Sequence, residues 1–108
     1  MIATTPKPPY YAVIFSSVVN QELDGYDDMA QKMVDLVKKQ PGYLGHESAR
    51  AGLGITVSYW ASLESIKNWK SVSAHLEAQK QGREKWYSAY KTRICLVERD
   101  YGFDSSLF

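Results

Sequence analysis

Residues 54–75 change periodicity in mid-stretch, and that change limits what the chain can fold into. Ile55, Val57 and Tyr59 alternate with Thr56, Ser58 and Trp60, which is the two-residue period of a strand. Ser62 then offers an N-cap, and Leu63, Ile66 and Trp69 recur at helical spacing with Glu64 in the first turn. Strand and helix follow each other almost without a loop.

Upstream, residues 10–19 are rich in β-branched and aromatic side chains on both parities: Tyr11, Val13, Phe15 and Val19 against Ala12, Ile14 and Val18. This predicts an inner strand covered on both faces. Within residues 23–39, Tyr26, Met29, Ala30, Met33, Val34 and Val37 repeat at helical spacing. Asp24 is a candidate N-cap, and Lys38 and Lys39 favour the negative end of the dipole. Pro41-Gly42 stops this helix. Residues 43–50 then read as a strand, joined through a glycine-supplied turn at 51–54 to the strand at 55–61. Ser71, Val72 and Ser73 predict a break in the second helix, which resumes over residues 74–85 with Gly82 as its weak point. A last strand covers residues 92–101, with Ile94 and Leu96 on one face and Cys95 and Val97 on the other.

The order strand, helix, strand, strand, helix, strand is the ferredoxin-like βαββαβ arrangement of an α+β protein. In it a four-stranded antiparallel sheet carries its helices on one face. Residues 10–103 form the single domain, 1–9 a flexible lead-in and 104–108 a tail. About five large apolar side chains on the other face would each forgo ~1.5–3 kcal/mol of burial, against the ~5–15 kcal/mol that stabilises a whole domain. A second copy of the sheet is the simplest cover, which predicts a homodimer.

Thirteen lysines and arginines against 12 aspartates and glutamates, scattered along the chain, give no footprint for a phosphate backbone, so nucleic acid is not an expected partner. The lone Cys95 permits no internal disulfide, and one cysteine with two histidines is too few for a structural zinc site. No apolar run has the length of a membrane span or a signal peptide, and a reducing cytoplasm fits. Nucleotide loops and nucleophile elbows are likewise missing from the sequence.

Among titratable groups His75 attracts attention, since histidine serves as base, proton shuttle or ligand near neutral pH. In an unbroken helix Trp69 and His75 would stand ~120° apart; the predicted break removes that separation. His75, Gln79 and Gly82 fall within ~60° of one another, and Trp86 joins them if the helix persists. A surface histidine and a cleft-lining one both satisfy this spacing. Trp60 and Trp69 suit core anchoring or a ligand wall. His46 and Glu47 point to opposite faces of their strand and cannot pair within it.

The segment Gln40-Pro-Gly-Tyr-Leu-Gly-His-Glu-Ser48, the strand Ile55-Thr-Val-Ser-Tyr-Trp60, and Ile66-Lys-Asn-Trp69 leading to Ala74-His75 resemble the antibiotic biosynthesis monooxygenase domain. That family belongs to the dimeric α+β barrel group. The resemblance implies a small monooxygenase acting without a cofactor on an aromatic or quinol-like molecule in a cavity between sheet and helices. His75 would be its base, Trp69 and Tyr59 would line the pocket, and Trp60, Gln79, Phe15 and Ser17 would touch substrate. Haem binding with His75 as axial ligand is the alternative, and a non-catalytic dimer that binds a small molecule is a third reading. Haem-degrading relatives place the ligand histidine ten residues past the tryptophan. Here Gln79 holds that position, and Ser16 or Ser17 stands where they carry asparagine.

Overall fold

Six elements follow one another in the predicted order: β1 (Tyr10–Val19), α1 (Tyr26–Val37), β2 (Tyr43–Arg50), β3 (Gly54–Trp60), α2 (Leu63–Gln79) and β4 (Tyr87–Val97). The structure, a computed structural model, describes residues 2–21, 25–79 and 86–104, the side chains of residues 77–79 excepted. The four strands form one antiparallel sheet in the order β2-β3-β1-β4, the ferredoxin-like arrangement. β1 is an inner strand, as its two apolar faces require.

Both helices pack on the same face. Trp60 is fully buried at 0% exposure and forms the core with Val37 of α1 and Ile66 of α2; Tyr11, Val13, Tyr43 and Trp69 close around them. Its indole N–H donates to Ser58 Oγ at 2.9 Å, so the ring is buried without an unsatisfied donor. The turn before β2 depends on Gly42, where φ is 82° and a Cβ would lie 2.1 Å from Ser65 Oγ at the start of α2. Only glycine combines that backbone with so close an approach. Ser62 caps α2 as expected, its Oγ accepting from the Ser65 N–H at 3.1 Å.

Three boundaries differ from expectation. α2 runs unbroken through residues 71–73, because Ser71 and Ser73 turn their hydroxyls back onto the carbonyls of Lys67 and Lys70 instead of interrupting the helix. β4 starts at Tyr87 and ends at Val97, since pairing with the second half of β1 recruits the tyrosine-rich segment that lacks clean alternation. α1 begins at Tyr26, with Gly25 as N-cap at φ 81° and no side-chain cap; Asp24 and Gly82 lie outside the described residues.

Residues before β1 also make contacts. The Ala3 N–H donates to Glu47 Oε2 at 2.8 Å, and the Thr5 hydroxyl donates to Tyr10 Oη at 3.0 Å. Of the face away from the helices, Val18 and Ile55 remain exposed, with Ile14 and Val57 half-buried between them.

Candidate functional site

Antiparallel pairing arranges the helix-facing side of the sheet in rows, because residues directly opposite each other point the same way. In the first row Tyr43, Trp60 and Tyr11 belong with the core at the end where α2 begins, while Leu96 at the edge of the row is exposed. His46, Ser58, Val13 and Ile94 come next, followed by Ser48, Thr56, Phe15 and Thr92. The last row is Arg50, Gly54, Ser17 and Tyr90. The surface thus grades from apolar at one end to hydroxyls and a guanidinium at the other. α2 leaves the Trp60 end, and the chain re-enters the sheet at the Tyr87 end.

Aromatic rings gather at the polar end. Phe15 meets Tyr87 and Tyr90 with centroids 5.6 Å away in each case, and Tyr87 also packs edge-on against Tyr26 at 6.0 Å. Tyr26 in turn contacts the buried Trp86 at 6.1 Å. Beside this cluster the Arg50 guanidinium lies across Gly54 and donates to Ser17 Oγ at 2.6 Å and to Ser17 O at 3.3 Å. Rings, hydroxyls and a cation on one surface can hold a flat, partly polar molecule.

Among the residues singled out from sequence, Phe15 and Ser17 come together here. Trp60 does not join them: with no exposed surface it cannot touch a ligand. Trp69 is half-buried and stacks on Trp60 at 6.3 Å with planes 25° apart. His75 is exposed, and because α2 is continuous its side chain leaves the helix ~120° from Trp69. Trp86 packs against Tyr26, and residues 80–85, which would decide whether it continues a stripe from His75, lie outside the described residues. Gln79 lies outside the described side chains. Arg50 was not singled out, although its position opposite Gly54 in a hairpin was the available signal.

Tyr59 points to the other face of the sheet. There its hydroxyl donates to Glu47 Oε1 at 2.7 Å, and its ring meets Tyr10 edge-on at 5.9 Å. Tyr10 donates to Asp100 Oδ2 at 2.5 Å. Tyr59 therefore cannot share a pocket with Trp69, and the grouping of His75, Trp69 and Tyr59 does not form. His46 and Glu47 separate as the strand period requires, His46 Nδ1 bonding the Tyr43 hydroxyl on the helix side.

Burial, then the bond to Glu47, pushes the Tyr59 phenol up to about 12. Conversely, the Tyr59 hydroxyl and the Ala3 N–H hold the Glu47 carboxyl below its usual value. The signs differ in consequence. The lowered carboxylate contributes stability above its unfolded pKa of ~4.3, lost as pH falls through the folded value; the raised phenol contributes below ~10, lost as pH rises through about 12. Glu47→Gln should accordingly lower the urea midpoint at neutral pH, with the deficit vanishing in acid. A deficit independent of pH would show that the charge on Glu47 contributes nothing.

Among the described residues no cluster of three or more His, Cys, Asp or Glu is placed to hold a metal ion, and no helix is long and apolar enough to cross a membrane. Haem held by His75 would not have Trp69 as a neighbour. An iron held there would stand on a different side of α2 from Trp69, one face of which Trp60 already covers.

Comparison with known proteins agrees with this architecture. The uncharacterized Bacillus subtilis protein YqjZ is 46% identical over 107 residues, covering 97% of this chain and 94% of that protein. A mutant form of SnoaB, a cofactor-independent oxygenase from Streptomyces nogalater, superposes with a TM-score of 0.68 at 10% identity, over 84% of this chain and 95% of its own. A Nitrosomonas europaea protein of unknown function does so with a TM-score of 0.69 at 8% identity, over 93% and 100%. At such identities the likeness is one of fold. The family profile for antibiotic biosynthesis monooxygenase matches residues 9–81, and with that span and the YqjZ relationship the chain belongs to the antibiotic biosynthesis monooxygenase family.

Proposed function

We propose that this protein is a cofactor-independent monooxygenase that binds an electron-rich aromatic molecule, such as a quinol, between α2 and the polar end of the sheet. The observation that carries this reading is the ring cluster of Phe15, Tyr26, Tyr87 and Tyr90 beside Ser17, on the helix-facing surface of a monooxygenase-family fold. SnoaB, of the same fold, is a cofactor-independent oxygenase.

In the proposed reaction a ring hydroxyl loses its proton through a bridging water to His75, which is exposed on α2 and leaves that helix ~120° from Trp69. The charge spreads onto a ring carbon, which passes one electron to dioxygen. The radical pair combines at that carbon, and the proton returned by His75 completes a hydroperoxide. Loss of the carbon's own proton together with hydroxide, as water, leaves a new carbonyl. The balance is dihydroxyarene plus dioxygen to hydroxyquinone plus water, so no external reductant is required. The phenols and Phe15 contribute by fixing the ring and excluding water.

The open face of the sheet, with Val18 and Ile55 exposed, supports a homodimer in which two sheets face each other. The substrate surfaces then lie on the outside, under the helices.

Oxygen consumption with a panel of naphthalene quinols tests the activity. Enzyme-dependent uptake should exceed that with heat-denatured protein, and mass spectrometry should find one atom from labelled dioxygen in the product. Equal traces, alongside measurable quinol binding, would overturn the oxygenase and leave a non-catalytic binding dimer.

A further inference from the structure

We infer that Arg50, Gly54 and Ser17 form a seat for a carboxylate on the substrate, so that the ligand is an aromatic acid rather than a neutral aromatic. This deepens the functional reading above and rests on it for the position of the ring, though not for any chemical step.

The seat is built across three strands. Arg50 ends β2, Gly54 opens β3 opposite it, and Ser17 of β1 lies opposite Gly54, so the three side-chain positions form one row on the helix-facing surface. A guanidinium can cross the middle strand only if nothing projects from it. At Gly54 a Cβ would stand 2.2 Å from Arg50 Cζ and 2.3 Å and 2.6 Å from its two terminal nitrogens. Gly54 has no left-handed φ to explain its presence. What a side chain would take away is the path of the arginine.

Ser17 is the far anchor. It is 1% exposed, and its side-chain and backbone oxygens receive the two terminal nitrogens of Arg50. Both oxygens are neutral, and among the described residues no carboxylate is seen to bond the guanidinium. A guanidinium has five N–H donors in a fixed plane, and the bonds to Ser17 leave the edge formed by Nε–H and the adjacent terminal N–H. That edge matches the two oxygens of a carboxylate. Arg50 itself is exposed, so its charge is accessible, while its orientation is fixed in advance by the buried serine.

The surroundings complete an amphipathic shape. Phe15 occupies the next row beside the hydroxyls of Thr56 and Ser48, and Tyr90 stands on the other side of Ser17. A ring laid against Phe15 and Tyr90 would present a substituent at its edge to the guanidinium. A carboxyl next to a ring hydroxyl also places positive charge near the oxygen that becomes negative on deprotonation.

The test compares two stable, nearly isosteric probes, 1-hydroxy-2-naphthoate and 1-hydroxy-2-naphthamide, with affinities read from quenching of intrinsic fluorescence. The wild type should bind the carboxylate ~10- to 100-fold more tightly than the amide, the range for hydrogen bonds to a charged group. Arg50→Gln should bring the carboxylate down to the affinity of the amide and leave the amide within a factor of ~3, with Arg50→Lys restoring only part of the difference. Gly54→Ala should reduce the same preference by displacing the guanidinium, checked against an unchanged dichroism spectrum. Equal affinities in the wild type, or a preference that survives in Arg50→Gln, would overturn the seat. Arg50-dependent binding without oxygen uptake from any quinol supports the seat while removing the oxygenase; oxygen uptake with affinity indifferent to Arg50 does the reverse.

Discussion

Trp60→Ala should destabilise the domain by ~3–5 kcal/mol, the cost of truncating a fully buried aromatic side chain. The same ring holds Val37, Ile66, Tyr43 and Trp69 together, so one cavity would loosen both helices at once. Because small domains are stable by only ~5–15 kcal/mol, this change should bring the protein close to unfolding at ambient temperature. Trp60→Phe, which keeps most of the apolar volume, should cost less. Urea denaturation of both variants provides the measurement. A loss under ~1 kcal/mol for the alanine variant would mean that the core is centred elsewhere.

His75→Ala should lower quinol turnover by ~10²- to 10⁴-fold, the usual contribution of a positioned base. Stability should change little, since the side chain is exposed. The two variants thus have opposite signatures: Trp60→Ala acts on folding, His75→Ala on rate. A His75→Ala protein with wild-type turnover would remove His75 from the proposed reaction, and an unchanged thermal midpoint would show that a loss of turnover is not misfolding.

Much of the fold was legible because it is written in local periodicity. The two apolar parities of β1 identified an inner strand, and Pro41-Gly42 and Ser62 marked a stop and a start that the structure uses. Residues 71–73 were misleading because serine in a helix has two outlets, and which one it takes depends on whether the following turns have packing that keeps them helical. The start of β4 was hidden for a related reason: Tyr87 and Tyr90 are held by Phe15 on a distant strand, a contact that no local pattern encodes.

The site was less legible because it is a property of register. Alternation along β3 already assigned Tyr59 and Trp60 to opposite faces, yet grouping aromatic residues by type placed Tyr59 beside Trp69. Trp69 itself proved to be a stacking partner of the core tryptophan. Arg50 and Gly54 looked like hairpin residues until the third strand brought Ser17 opposite them. Three strands must be aligned before that row exists, and only the fold aligns them.

The central claim, that substrate lies between α2 and the polar end of the sheet, is tested most directly by a crystal structure of the protein with a naphthalene quinol bound under anaerobic conditions. The ring should rest against Phe15 and Tyr90, within reach of Ser17 and on the side of the sheet that carries α2. Density for the quinol on the opposite face, against Tyr59, Tyr10 and Glu47, would contradict it.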